Sequence, residues 1–282
     1  MTAHKPFTVT NGRLVDGGTF LEATHLRVSA GRIDAIGGPE VRVAGDVLVD
    51  GRGGTLLPGL IDAHVHLLPG CTRLAATFGV TTLIDQFSKP EVINAERGAL
   101  TVAQSGAEPA RADLRTSSVG ATAPGSQPTM AYAPIPYVTG PSEALPFVEA
   151  RVAEGATHLK VIYDDGSGAM LNIPALDKAT IEALVVAAHR HGLPVVAHVS
   201  TAAGAVMVAR CGVDVLAHAP FDRMAQTEVR DVAKAGVALI ATLSIMDGFP
   251  DESGTMPLLT QPPLRPCRTG RIRRSWRPAY PR

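Results

Sequence analysis

The sequence predicts an α/β fold, an incomplete TIM-like (β/α)8 barrel of about seven strands preceded by a small N-terminal β unit. Three observations predict it. Short apolar runs alternate with helix-compatible stretches over most of the chain, and alternating β and α units imply a parallel sheet. Hydrophobic residues make up 45% of the 282 residues but aromatics only 4%, so the core must be built from Ala, Val, Leu and Ile, as in buried parallel strands flanked by helices. Polar side chains gather at the C-terminal ends of the apolar runs, the end where such barrels carry their functional groups. An open doubly wound sheet is the runner-up. It calls for a Gly-rich phosphate loop, and neither GxGxxG nor GKS/T occurs.

The elements follow in order. Residues 7–10 form a strand candidate that ends at the turn dipeptide Asn11-Gly12. Residues 26–28, 33–36 and 47–49 give further short strands, each closed by a glycine turn, and the first unit is expected over 1–57. A barrel layer is expected over 58–254, with strands at 60–66, 81–85, 114–120, 158–163, 195–198, 215–218 and 237–242. Helices are expected at 144–154, 178–191, 201–211 and 227–235. Gly79, Gly155, Gly192, Gly212 and Gly236 each sit just before a strand, the place of a helix C-cap glycine followed by a short loop.

From residue 255 the pattern stops. The end of the chain holds Arg265, Arg268, Arg271, Arg273, Arg274, Arg277 and Arg282 among prolines, without an acidic residue or an apolar period. Such a stretch does not make a barrel strand and helix. It reads either as a basic tail that binds something anionic or as the product of a reading-frame shift near residue 260, and the second is favoured because nothing before it is basic.

The formal net charge is zero, which gives no reason to expect nucleic acid or an anionic membrane as partner. No apolar run approaches membrane-spanning length and no signal peptide is visible. Cys71, Cys211 and Cys267 are widely spaced and odd in number, so neither a disulfide framework nor a CxxC site is expected. A cytoplasmic protein acting on a small molecule fits these bounds, with homo-oligomerisation left open.

The run Leu60-Ile61-Asp62-Ala63-His64-Val65-His66 carries the chemistry. In a strand, residues i and i+2 share a face, so His64 and His66 project side by side, a ready pair of ligands for zinc or a similar borderline metal. His198 and His218 each end an apolar run, 20 residues apart. That is one βα unit, which puts them on neighbouring strands at one height. Either alone reads as a satisfied core histidine; the regularity favours a site. Lys160 lies inside an apolar strand, which is costly unless the amine is paired or chemically changed. Tyr163, Asp164 and Thr242 are placed at the mouth, within reach of substrate. His158 shares the face of Lys160, deeper in; His189 and His191 sit at a helix end, where a cation suits the dipole.

These stretches resemble the amidohydrolase superfamily, in particular the metal-dependent hydrolases grouped with imidazolonepropionase and Xaa-Pro dipeptidase. The resemblance spans about residues 5–250 and rests on LLPGLIDAHVH, GVTTLIDQ at 79–86, SVGATAPG at 118–125, HLKVIYDDG at 158–166, VVAHVST at 195–201 and GVDVLAHAP at 212–220. It implies up to two divalent metals, zinc or another. His64 and His66 would hold the first, His198 and His218 the second, and Lys160 would bridge them as a carbamate formed with CO2. Metal-activated water would then hydrolyse an amide, a cyclic amide, an N-acyl amino acid or a dipeptide. The family also ends its eighth strand with an aspartate, in a GTDA-like stretch, which takes a proton from water. No such stretch follows Thr242. Asp164, Asp165, Asp247 and Asp251 do not match it by position, so the catalytic carboxylate is unassigned. The alternatives are an inactive, truncated metal-binding remnant and a protein that binds anions through its basic tail.

Overall fold

The β-branched stretches near the N-terminus are strands, as their composition favours: β1 (Phe7–Thr10), β2 (Arg13–Asp16), β3 (Thr19–Phe20), β4 (His25–Ser29), β5 (Arg32–Gly37), β6 (Val47–Asp50) and β7 (Thr55–Leu56). The computed structural model describes residues 5–104 and 109–243. The strands make a four-stranded sheet in the order β5-β4-β1-β6 and a three-stranded one in the order β3-β2-β7. Asn11 takes a left-handed φ of 51°, so the Asn11-Gly12 turn breaks β1 and sends the chain into the second sheet. Arg27 ties the first sheet to the following loop, its Nε 2.7 Å from Asp46 Oδ2. By contacts the chain divides into residues 1–241 and 242–282, and every element named here lies in the first unit.

Strands and helices then alternate: β8 (Leu60–Val65), α1 (Cys71–Thr77), β9 (Val80–Asp85), α2 (Pro90–Gln104), β10 (Asp113–Thr116), α3 (Gln127–Tyr132), α4 (Ala144–Ala153), β11 (Leu159–Ile162), α5 (Lys178–Arg190), β12 (Val195–His198), α6 (Ala202–Arg210), β13 (Val215–Ala217), α7 (Gln226–Lys234) and β14 (Ala238–Ile240). All pairings among β8 to β14 are parallel. They form one sheet β10-β9-β8 and another β11-β12-β13-β14, joined by a single parallel bridge between Ala121 and Val161. Two expectations change. Among the described residues the sheets do not close into a barrel. The third expected strand, 114–120, stops at Thr116, because Ser118 adopts φ 56° and a left-handed residue cannot continue a pleated ladder. The short helices α1 and α3 and the polar α2 were also absent from the sequence reading.

The glycine punctuation is where it was expected. Gly79, Gly155, Gly192, Gly212 and Gly236 have φ between 68° and 88°, a region that costs other residues a Cβ clash. Asp177 caps α5 by accepting from Thr180 N at 2.7 Å, and Thr201 caps α6 by accepting from Gly204 N at 3.2 Å. Alternation along the strands then sorts the side chains. Leu159, Val161, Val195, Ala197 and Leu216 face α4, α5 and α6, where they pack with Phe147, Val148, Ile181, Leu184, Ala205 and Val208 in the main core. Leu83 and Leu114 pack with Ile93 in a second core on the α1–α2 side. The residues between them in sequence are left for the opposite face. Among the described residues no helix is long and apolar enough to cross a membrane.

Leu184→Ala should lower stability by roughly 2–5 kcal/mol, because Leu184 is fully buried in that core. Val186→Ala, two residues on but half exposed, should change it by no more than about 0.5 kcal/mol. Denaturant midpoints of the two variants test the assigned face of α5.

Candidate metal centre

The face opposite the main core carries the polar side chains of four strand ends. β8 delivers His64 and, one residue past its end, His66. β11 delivers Lys160, β12 ends on His198, and His218 follows β13 directly. The parallel register sets His198 opposite Ile162 and Ala217, so the histidines on neighbouring strands stand at one level. Ring centroids lie 5.4 Å apart for His64 and His66, 4.6 Å for His64 and His218 and 4.7 Å for His198 and His218. The structure therefore brings all four expected histidines into one contiguous cluster. His218 holds φ 78°, an unusual conformation for a non-glycine residue, while its N–H donates to Ile240 O at 2.9 Å.

Several nitrogens of the cluster are buried and unused. His64 Nδ1, His198 Nε2 and Lys160 Nζ have no hydrogen-bond partner. His198 Nε2 stands 3.6 Å from Asp164 Oδ2, beyond a proper hydrogen bond. His66 Nδ1 lies 2.9 Å from Phe87 O. A carbonyl only accepts, so Nδ1 carries the proton and Nε2 keeps its lone pair for another use.

Burial and mutual repulsion disfavour the charged forms of His64, His198 and His218. Burial first, then the Lys160 charge, brings His64 down to about 2. Burial and then His198 bring His218 to about 3. His198 is also lowered by burial, with Asp164 opposing. Lys160 is 1% exposed, and burial lowers its amine to about 7, against a smaller upward pull from Asp85. Near neutral pH a large share of Lys160 is thus a free amine.

The remaining expected residues are placed differently. Asp164 lies at the cluster. Its Oδ1 accepts from Ser200 Oγ at 3.0 Å and from Gly166 N at 2.9 Å, Oδ2 faces His198, and the His198 contact leads the causes that lower it to about 2. Tyr163, expected at the mouth, instead packs with the helix-side core. Its ring lies against Gly204 of α6 and its hydroxyl donates to Asp165 at 3.4 Å. The reason is alternation: Lys160, Ile162 and Asp164 share a face and Tyr163 takes the other. Thr242 opens the second unit, and Asp247 and Asp251 lie outside the described residues. His158 is buried beside Lys160, and burial lowers it to about 4. His189 pairs with Asp214 at 2.9 Å, away from the cluster. The sequence reading missed Asp85, fully buried at the end of β9. A carboxylate closing the apolar run Leu83-Ile84-Asp85 was the available signal. It also missed Gly120, where an added Cβ would stand 2.9 Å from the Phe87 ring and 3.1 Å from Lys160 Cγ.

The donor set fits a divalent metal by type, by burial and by its unpaired nitrogens. As the side chains lie, no three His, Cys, Asp or Glu among the described residues stand in metal-holding geometry. A protonated Lys160 beside them would also repel a cation.

No protein-family model matches the chain, and no curated protein matches it. Solved structures do. An amidohydrolase superposes with a TM-score of 0.70 at 22% identity over 85% of this chain and 66% of its own. A Xaa-Pro dipeptidase with methionine bound in its active site gives 0.69 at 22% identity, over 85% of this chain and 67% of its own. A molinate hydrolase gives 0.67 at 18% identity, over 88% and 67%. The chain shares the fold of these structures and spans about two thirds of their length.

Stability of the metal-free protein should fall as the pH drops from 6.5 to 4.5. His64 and His218 are depressed in the folded state, so below their ordinary value of 6.5 the unfolded chain takes up protons that the folded one refuses. Replacing both by glutamine should flatten the difference in denaturant midpoint between those two pH values. Gly120→Ala should cost about 1–3 kcal/mol through overpacking against Phe87 and Lys160, read in the same assay.

Proposed function

We propose that this chain is a metal-dependent hydrolase of C–N bonds in amides or cyclic amides of small molecules, with its strand layer forming part of a TIM-like barrel. One observation carries the reading: four imidazoles and a buried, unpartnered lysine converge at the ends of four parallel strands. The structural neighbours named amidohydrolase and Xaa-Pro dipeptidase support it.

His64 and His66 would hold one ion, and His198 and His218 a second. Lys160 supplies what a cation needs and a lysine ordinarily lacks. Its free amine would attack the carbon of CO2, forming an N–C bond as one C=O π pair moves onto oxygen and losing one N–H proton to water. The product would be a carbamate, whose oxygens would add anionic donors to those of the four histidines. Burial favours this step by lowering the amine to about 7, so that a large share is unprotonated at neutral pH. Zinc or another divalent metal bound there would polarise the scissile carbonyl and lower the pKa of water. The carbonyl of Phe87 fixes the ring of His66 for that purpose.

A second reading is a chain that binds metal without turnover. It is favoured by Asp164, the carboxylate facing His198, which is held near 2 and is therefore a weak proton acceptor at neutral pH.

The test loads the full chain with zinc or manganese in bicarbonate, then measures bound metal and hydrolysis of N-acyl amino acids and dipeptides. Turnover that His66→Ala abolishes is the expected result. Bound metal without turnover selects the second reading, and absence of bound metal overturns both. Lys160→Ala should lose metal and recover part of it with short carboxylic acids, and 13C-labelled CO2 should give a carbamate resonance in the wild type only.

A further inference from the structure

Asp85 ends β9 with its carboxylate wholly buried and no cation paired with it among the described residues. Burial pushes its pKa up, so the group is held there at a cost. Its hydrogen bonds show what that cost secures. Oδ1 accepts from Ser88 Oγ at 2.6 Å and, more weakly, from Phe87 N at 3.4 Å. Together these close an Asx-type turn over residues 85–88. Ser88 Oγ in turn accepts from Leu67 N at 2.9 Å, and Gln86 N donates to Val65 O at 2.9 Å. The turn is thereby clamped on both sides of His66. At its tip the Phe87 carbonyl meets His66 Nδ1. Oδ2 accepts from Thr116 Oγ1 at 2.5 Å, and Thr116 Oγ1 accepts from Ser118 N at 2.9 Å, which fixes the end of β10 to the same point.

We infer that Asp85 is a positioning residue for His66. By holding the 85–88 turn it presents the Phe87 carbonyl to Nδ1 and so dictates that Nε2 is the nitrogen turned to the cluster. Asp85 acts on His66 through the turn, and the other histidine its backbone meets is His158, outside the four-ring cluster. The consequence for metal rests on the function proposed above, whereas the consequence for the imidazole does not.

The experiment is carried out on the metal-free full chain, with histidine rings labelled with 15N. Two-bond 15N–1H spectra read the tautomer of each ring, and the His66 signals are identified by their loss in His66→Gln. The wild type should show His66 protonated at Nδ1. Asp85→Ala should shift the ratio of the two tautomers toward Nε2–H by roughly tenfold, the scale of one net hydrogen bond. Asp85→Asn keeps an acceptor for Ser88 and Phe87 and should hold the Nδ1–H form. Ser88→Ala, which leaves Asp85 in place but removes both the link to Leu67 and the shorter of the two bonds to Asp85 Oδ1, should shift the ratio in the same direction as Asp85→Ala, and it decides the matter if Asp85→Ala does not fold. An unchanged His66 tautomer in a folded Asp85→Ala or Ser88→Ala protein overturns the inference, as does an equal shift in Asp85→Asn. Zinc affinity by chelator competition should fall roughly 10–100-fold in Asp85→Ala. If the chain binds no zinc at all, the proposed function fails and the tautomer result still stands or falls alone.

Discussion

A lysine amine removed from water and left without a partner is the constraint on which the site depends. Lys160 is fully enclosed, and its Nζ has no hydrogen-bond partner. A charged ammonium in that place would carry the full desolvation cost. The surroundings are built to keep it there nonetheless. Gly120 leaves space beside its stem, and Leu159 and Val161 lock β11 into the core on the other face. Burial acts in the same way on the histidines beside it, and any positive charge left on Lys160 depresses His64, His198 and His218 further. Free imidazole lone pairs are what a metal requires. The same burial therefore yields both an amine able to react and donors able to bind.

Much of this was legible in the chain because period and punctuation agree. Gly155, Gly192, Gly212 and Gly236 mark helix ends, and each stands shortly before one of the strands β11 to β14. With those boundaries fixed, the interval between His198 and His218 places them on adjacent strands, and the i, i+2 relation places His64 beside His66. Only the side chains' own chemistry, not their neighbours, is needed for that step. It is why the histidine cluster emerges from the sequence alone.

What stayed hidden depends on contacts between segments distant in sequence. Asp85 reads as an ordinary polar strand end until Thr116 and Ser88 are seen to enclose it. The proton position on His66 is set by a carbonyl 21 residues away, and no composition or spacing reports it. Tyr163 is a different kind of miss. Counting by twos from Lys160 already sends it to the helix side, where it packs. The break in the third strand escaped for a local reason, since nothing in Ser117-Ser118 announces a positive φ as Asn-Gly does.

The balance of charge decides which of the site's features matter most. Asp164, held by Ser200, Gly166 and His198, gives the cluster one fixed negative group at its outer edge. The imidazoles contribute none in the neutral state. Converting Lys160 from ammonium to carbamate would change the charge at the centre by two units. In a buried setting, where effective dielectric constants are on the order of 20 or less, charges about 4 Å apart interact by roughly 4 kcal/mol or more. No rotation of a ring or exchange of one hydrogen bond, worth about 1 kcal/mol, competes with that. Under the proposed function, the chemical state of Lys160 would therefore govern whether a cation is repelled or held, and the aiming of His66 through the 85–88 turn would refine a site whose sign is set elsewhere.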